Sequence, residues 1–363
     1  MVFVLVLAGF TTGGHPGDKS KRTDSPSAVR PLEIVFCIDL SGSTNGLIND
    51  VRDQLWLMVN MLHRLDPAPD LRIGVIGFSR PSFGKENSYV KVLSPLTRNF
   101  DFIASELYKL KPSIEKGDQI VSAALRSAVM DMDWSADAQA EKMIFLVGNG
   151  MVTANGYDYV RYCDEARSRG IPVHTFYVTK SKNRAQELPG YRRIAGITNG
   201  IQTEITVNKA DTLRIWPSPT SSQVILNQQI NSTYFWVGPD SGSCRKALSA
   251  ADSGAQHTND QVWMHRLYYK SGPQYRDAYL GCDRITTAAL TPVKSEMASA
   301  NTLDNKLREL FGKREEKRAK LSESFDDSSL NSLQKMLVEE KFSEESIFYR
   351  CVLSIAYKSW GVN

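Results

Sequence analysis

Glu33-Ile-Val-Phe-Cys-Ile-Asp39-Leu-Ser41-Gly-Ser43-Thr44 is an apolar run that stops at one carboxylate and three hydroxyls. The unbroken apolar residues from Ile34 to Ile38 suit a strand buried on both faces of a parallel sheet. The Ser/Gly/Ser/Thr cluster behind Asp39 suits a turn that opens a helix. Open α/β sheets gather their ligand sites at this carboxyl edge, so the stretch predicts a strand that delivers oxygen ligands to a metal site.

Downstream, apolar spacing alternates between helix and strand. Ile48, Val51, Leu55, Val59 and Leu62 recur every three or four residues and form one helix face, closed by Pro67 and Pro69. Arg72 to Phe78 and Tyr89 to Leu93 read as strands. Phe100, Ile103, Leu107 and Leu110 mark a helix that Pro112 stops, and Ile120, Ala124 and Ala128 mark the next. Met143 to Val147 is fully apolar, as expected of a central parallel strand. Tyr159, Tyr162, Cys163 and Ala166 share a helix face that ends at Gly170. Pro172 to Thr179 is a strand, Tyr191 to Ala195 a short helical piece, and Gly200 to Val207 an edge strand. This order calls for an α/β fold with a doubly wound, mostly parallel sheet.

Beyond Ala210 the alternation fails, and the remainder reads as an α-helical C-terminal extension. A Pro/Ser linker (Trp216 to Ser222) precedes Val224 to Trp236, helical and then extended. Short helices are expected around Cys244 to Ala251, Val262 to Tyr269 and Tyr275 to Asp283. Leu303 to Leu321 is a longer helix with Glu309/Lys313 and Glu316/Lys320 four apart, a pattern of solvated helices. Leu330 to Glu340 and Ser343 to Trp360 complete the tail. The division expected is residues 1–31 as leader and linker, 32–208 as the sheet domain and 209–363 as the extension.

Composition is that of a globular protein, with 42% hydrophobic and 23% charged residues. A net charge of +4 implies no strongly basic nucleic-acid surface. Met1 to Phe10 is nearly all apolar and resembles a clipped signal peptide, which would make the protein extracytoplasmic. A mis-set start codon or a buried terminal strand is the alternative, with a cytoplasmic location. The stretch is too short to span a bilayer, and nothing later approaches an integral membrane segment. Cys37, Cys163, Cys244, Cys282 and Cys351 are too dispersed for a disulfide scaffold, and no C-x-x-C suggests zinc. In an exported protein Cys244 could pair with Cys282, with Cys351 as a competing partner, and the sequence leaves the pairing among the three open.

With Asp39-Leu-Ser41-Gly-Ser43 placed after strand one, the chain resembles the von Willebrand factor type A domain family, whose Asp-x-Ser-x-Ser motif opens a metal-ion-dependent adhesion site. The resemblance implies a second loop supplying a threonine and a third, after the fourth strand, supplying an aspartate. It also implies Mg²⁺, or Mn²⁺ or Ca²⁺, held by hard oxygens, with a partner's carboxylate taking an open position. Asp39, Ser41 and Ser43 match the motif. In Glu115-Lys-Gly117-Asp118 the threonine's place falls to Asp118, and in Gly148-Asn149-Gly150 the aspartate has become Asn149. If Asp118 binds the ion directly, its charge weakens recruitment of a partner's acid and favours plain retention of the metal. Asn149 is expected to fix its loop and hold a metal-bound water. The third loop also resembles a bacterial subgroup reading Gly-Asn-Glu, with a helical extension.

Blander readings stand beside these. Ser41 and Ser43 cap a helix whether or not an ion is bound, and so does Asp118. A haloacid-dehalogenase-like phosphotransferase needs an acid where Ser41 stands. A dinucleotide loop at Gly148-Asn-Gly150 lacks the third glycine and the later acid. The five histidines show no metal or triad spacing, and Cys37 and Cys163 fall on core faces. The aromatic residues from Tyr234 to Tyr279 suit core packing before a binding surface, and Lys313 to Lys320 reads as a solvated helix. The reading is therefore a non-enzymatic protein-binding module. The alternative is a scaffold protein with a degenerate site.

Overall fold

The computed structural model describes residues 29–111, 120–153, 157–179, 181–207, 214–275, 278–290, 302–341 and 346–362. β1 (Pro31–Asp39) is buried from Leu32 onward because it lies between two parallel neighbours, β2 (Asp70–Phe78) and β4 (Glu141–Gly148). Between β1 and β2 runs α1 (Leu47–Leu62). β3 (Lys91–Thr97) pairs antiparallel with β2. It starts two residues later than its apolar residues suggest, because Ser88 and Tyr89 turn through positive φ. Pro95 is tolerated there because the strand lies at an edge.

α2 (Phe100–Lys109) is capped by Asn99, whose Oδ1 accepts the Phe102 N–H at 3.0 Å. α3 (Val121–Met130) precedes β4, and α4 (Tyr159–Ser168), β5 (Val173–Val178), α5 (Arg184–Ile197) and β6 (Gln202–Ile205) follow it. The sheet order among the described residues is β3-β2-β1-β4-β5-β6, which puts the two most apolar strands at its centre, as expected. α5 is much longer than the short piece predicted; it runs through Pro189, which reads in sequence as a breaker.

Side chains alternate between the two faces of β1. Val35 and Cys37 pack with α3, α4 and α5, while Ile34, Phe36 and Ile38 pack with α1 and α2. The helices beyond the sheet are α6 (Ser221–Asn231), α7 (Ser241–Thr258), α8 (Asp260–Ser271), α9 (Arg284–Leu290), α10 (Thr302–Ser322), α11 (Ser328–Glu339) and α12 (Phe348–Trp360). They cover the α1/α2 side. Tyr269 stacks on Trp56 of α1 at 5.2 Å, and Phe348 packs on Phe36 and Phe176 of the sheet. Tyr269, Tyr275 and Tyr279 are buried, which is core packing. Cys244 is bonded to Cys282, and Cys351 is buried in α12.

Two expectations for the extension are corrected. Tyr275 to Asp283 is not a helix in its described part: a 3-10 turn (Pro273–Tyr275) and further turns lead to α9, whose start is held by the Asp283 carboxylate accepting the Thr286 N–H at 2.9 Å. The charge run on α10 is solvated on one face only. Glu309–Lys313 and Glu316–Lys320 form exposed pairs, whereas Arg314 and Arg318 are buried. Arg314 bonds Asp283 at 2.8 Å and lies 4.2 Å over the Tyr234 ring. Arg318 donates to the Lys270 carbonyl at 3.0 Å. Among the described residues no helix is long and apolar enough to cross a membrane.

Candidate functional site

The site begins where β1 ends. The Asp39 side chain is buried, and its Oδ1 accepts the Ser41 N–H at 2.9 Å while its Oδ2 faces the Asn149 N–H at 3.4 Å. A 3-10 turn (Gly42–Thr44) carries the two serines, pinned by the Thr44 hydroxyl donating to the Asp39 carbonyl at 2.8 Å. Gly46, at φ 109°, then redirects the chain into α1. The first loop therefore folds back over its own strand end.

Asn149 comes from the end of β4, across the sheet centre. Ser41 Oγ and Ser43 Oγ are 2.8 Å apart, and Ser43 Oγ donates to Asn149 Oδ1 at 2.8 Å. Four of the predicted site residues thus meet in one cluster: Asp39, Ser41, Ser43 and Asn149. Asp39, Ser41 and Asn149 are buried, while Ser43 is exposed and opens the cluster to solvent. Asp118 lies outside the described residues.

β4 must approach Asp39 closely. A Cβ on Gly148 would stand 2.5 Å from the Asp39 Cβ, so glycine is required there. Burial pushes the Asp39 carboxyl up to about 6, against the hydrogen bonds of Ser41 and Asn149 that pull it down. A narrow cleft lined by Asp39, Ser41, Thr44, Asn45, Ile48 and Lys111 leads to it.

Three contributors escape sequence reasoning. Ser79 follows Phe78, the β2 partner of Asp39, and is buried in a left-handed conformation at φ 65°. Its hydroxyl sits beside the Asp39 carboxyl without a well-formed hydrogen bond among the described residues. Its position one residue past a strand, at the same edge as Asp39, was the available signal. Glu187 and Tyr191 of α5 hold the third loop. Glu187 Oε2 accepts the Gly150 N–H at 2.9 Å and the Tyr177 hydroxyl at 2.7 Å, and the Tyr191 hydroxyl donates to the Asn149 carbonyl at 2.9 Å. They lie some forty positions downstream, and no spacing announces them.

The donor set suits a hard divalent cation. All the candidate ligands are oxygens, and a buried carboxylate that ionises only at cost gains from a nearby cation. Octahedral Mg²⁺ with oxygens at about 2.1 Å places neighbouring ligands about 3 Å apart, close to the separations in the cluster. Among the described residues no group of three or more His, Cys, Asp or Glu side chains could hold a metal ion, and the one acid they bring to this cluster is Asp39, beside hydroxyl and amide oxygens.

Comparison with known proteins bears on the sheet domain. Residues 33–213 match the model of the von Willebrand factor type A domain. No curated protein matches the chain. Similar solved structures include an aerotolerance-related membrane protein from Bacteroides fragilis NCTC 9343, at 20% identity and TM-score 0.33, covering 55% of this chain and 99% of that one. The pilus adhesin SpaC from Lactobacillus rhamnosus GG matches at 18% identity and TM-score 0.37, over 48% of this chain and 28% of that one. The vWF domain of the type V pili tip protein Mfa5 from Porphyromonas gingivalis matches at 12% identity and TM-score 0.37, over 49% and 91%. A von Willebrand factor type A domain, with a six-stranded, mostly parallel sheet, occupies residues 33–213 of this chain.

Proposed function

We propose that the chain is a non-enzymatic protein-binding module that works through a variant metal-ion-dependent adhesion site at the carboxyl edge of β1 and β4. One observation carries the reading. Asp39, Ser41, Ser43 and Asn149, drawn from two loops, form a hydrogen-bonded oxygen cluster whose acid is buried and whose outermost hydroxyl, on Ser43, faces solvent. Asp39, Ser41 and Ser43 would hold Mg²⁺, Mn²⁺ or Ca²⁺, with Asn149 fixing the third loop and Asp118 as a second acid. A bound ion supplies positive charge that an acidic side chain of a protein partner can join. Asp39 holds its charge next to the ligands, Gly148 lets β4 come close enough to share the site, and Glu187 and Tyr191 keep Asn149 in register. The Gly-Asn-Gly loop and helical extension fit the bacterial subgroup named above, and the Cys244–Cys282 bond supports an extracytoplasmic location.

Titration calorimetry with MgCl₂ and MnCl₂ tests the site. Wild type should bind, and Ser43→Ala should weaken binding by about tenfold or more. Because Ser43 is exposed, the variant should fold normally. No heat of binding, or an unchanged affinity in Ser43→Ala, removes the adhesion-site reading.

A scaffold role is the second reading. It is favoured by the way Ser41, Ser43 and Asn149 hydrogen-bond one another, which closes the cluster by itself. A pull-down with and without chelator separates the two: partner capture that ignores chelator supports the scaffold.

A further inference from the structure

The oxygen cluster at the carboxyl edge has two unlike flanks. On one side the third loop, Gly148 to Thr153, carries no charge and leaves Met151 47% exposed. On the other stands the loop between β2 and β3. Ser79, whose hydroxyl sits beside the Asp39 carboxyl, is followed at once by Arg80. The Arg80 guanidinium donates to the Lys111 carbonyl at 3.3 Å, and Lys111, just past α2, lines the narrow cleft that leads to Asp39. Lys85 is exposed farther along the loop, and Lys91, opposite Gly77 in the register of β3 with β2, returns the chain to the same edge. Among the described residues none of these four cations forms an ion pair. The neighbouring acids are engaged elsewhere: Glu86 accepts from the Asn87 amide at 3.4 Å, and Glu106 of α2 pairs with Lys109.

The backbone of this loop is held in a costly shape. Of the four described non-glycine residues with positive φ, three lie in it: Ser79 at 65°, Ser88 at 53° and Tyr89 at 58°. Such residues gather at ligand sites. Here they are pinned, with the Ser88 and Tyr89 N–H groups donating to the Lys85 and Gly84 carbonyls at 2.9 Å and the Ser88 hydroxyl meeting that of Tyr157 at 2.8 Å. The loop is thus a fixed ledge, and a fixed ledge loses little freedom on binding. Its aromatic residues, Phe83 and Tyr89, are half-buried, and Lys91 lies 5.9 Å over the Phe83 ring, so no exposed ring is offered to a bilayer or to a nucleic-acid base. Point charges remain, all but Glu86 positive. Building on the adhesion-site reading of the cluster beside it, we infer that this ledge binds an acidic segment of a protein partner. One carboxylate of the segment reaches the ion, and its neighbours pair with Arg80 and Lys111.

Fluorescence anisotropy on the full chain tests the ledge. The probes are a fluorescein-labelled hexapeptide of alternating Asp and Glu, and a matched peptide in which all but one acid is Asn or Gln. In MgCl₂, Arg80→Ala and Lys111→Ala should each weaken the acidic peptide by about twofold to fivefold, the range of an exposed ion pair. Wild type should therefore prefer it to the single-acid peptide by about tenfold, the product of two such pairs. Raising NaCl from about 50 to about 300 mM should shrink that preference. Lys246→Ala, exposed on α7, should change nothing. Failure of the acidic peptide to bind, an unchanged Arg80→Ala/Lys111→Ala double variant, or an equal loss in Lys246→Ala overturns the proposal. So does sedimentation with phosphatidylserine vesicles in place of peptide binding, which would make the surface a lipid site. The two readings fail separately. Mg²⁺ binding in calorimetry without a preference between the peptides keeps the metal site and overturns the ledge. A preference that depends on Arg80 and Lys111 yet is unchanged in EDTA supports the ledge and ends the adhesion-site reading.

Discussion

Replacing Arg266 by Met tests what fastens the helical layer to the sheet. The guanidinium is fully buried between α2, α7 and α8. Two of its nitrogens bracket the Asp101 carboxylate, Nε donates to Asp252 at 2.9 Å, and its plane lies 4.4 Å from the Trp56 ring. After substitution Asp252 still has Lys270. Asp101 keeps only neutral phenols among these partners, Tyr275 at 2.8 Å and Tyr279 at 2.5 Å. A buried carboxylate stripped of its cation typically costs about 3–5 kcal/mol, a large share of the roughly 5–15 kcal/mol that stabilises a domain. In urea, with m of about 2–3 kcal/mol per molar, that is a midpoint drop of about 1–2.5 M. Far-ultraviolet circular dichroism and tryptophan emission should report it together, because Trp56 lies against the guanidinium. Adding Asp101→Asn to Arg266→Met should recover about 1–2 kcal/mol by removing the stranded charge. A loss below about 1 kcal/mol, the value of an exposed pair, would refute the reasoning, as would a double variant no more stable than the single one.

Three further outcomes are expected. Gly148→Ala should cost about 1–3 kcal/mol through overpacking against Asp39 and lower Mg²⁺ affinity; thermal melts and calorimetry measure both, and an unchanged protein would show that the close approach is not needed. Burial lowers His174 to about 4, and its Nδ1 accepts the Ile201 N–H only when unprotonated. Its folded pKa lies below the unfolded value near 6.5, so this stability is present above about pH 6.5 and lost as pH falls toward 4, about 3 kcal/mol in all. Urea midpoints across that window check it, and a His174 ring that titrates near 6.5 by NMR would contradict it. With Cys244 and Cys282 bonded, the denatured, unreduced chain should yield three reactive thiols, from Cys37, Cys163 and Cys351; five would show the bond absent.

What could be read from sequence follows a physical division. Strands buried on both faces write themselves as apolar runs, so β1 and β4 were legible, and so was the carboxylate that ends β1. Helices with one apolar stripe, such as α1 and α2, were legible for the same reason. α5 was not, because Pro189 and Gly190 imitate a break while the surrounding packing holds the helix together. Arg314 and Arg318 looked solvated because their partners, Asp283, Thr233 and the Lys270 carbonyl, lie far away along the chain. Within the site, residues on the loops named themselves through a local motif. Those that hold the loops from behind, Glu187, Tyr191 and Ser79, act through backbone contacts that no motif records.

The placement of α12 has a consequence for how the protein is made. Its Phe348 covers the aromatic face built by Phe36 and Phe176, and its Tyr357 hydroxyl reaches the Met61 carbonyl, 296 positions earlier. On a ribosome adding about 5–20 residues per second, that interval lasts roughly 15–60 s. From the end of β6 at Ile205 until Phe348 is made, the latter part of that interval, the sheet carries a bare greasy flank, the kind of surface that holdase chaperones grip. A ribosome stalled before residue 348 should therefore present a chain that aggregates when such help is withdrawn, although every strand of the sheet has already been synthesised.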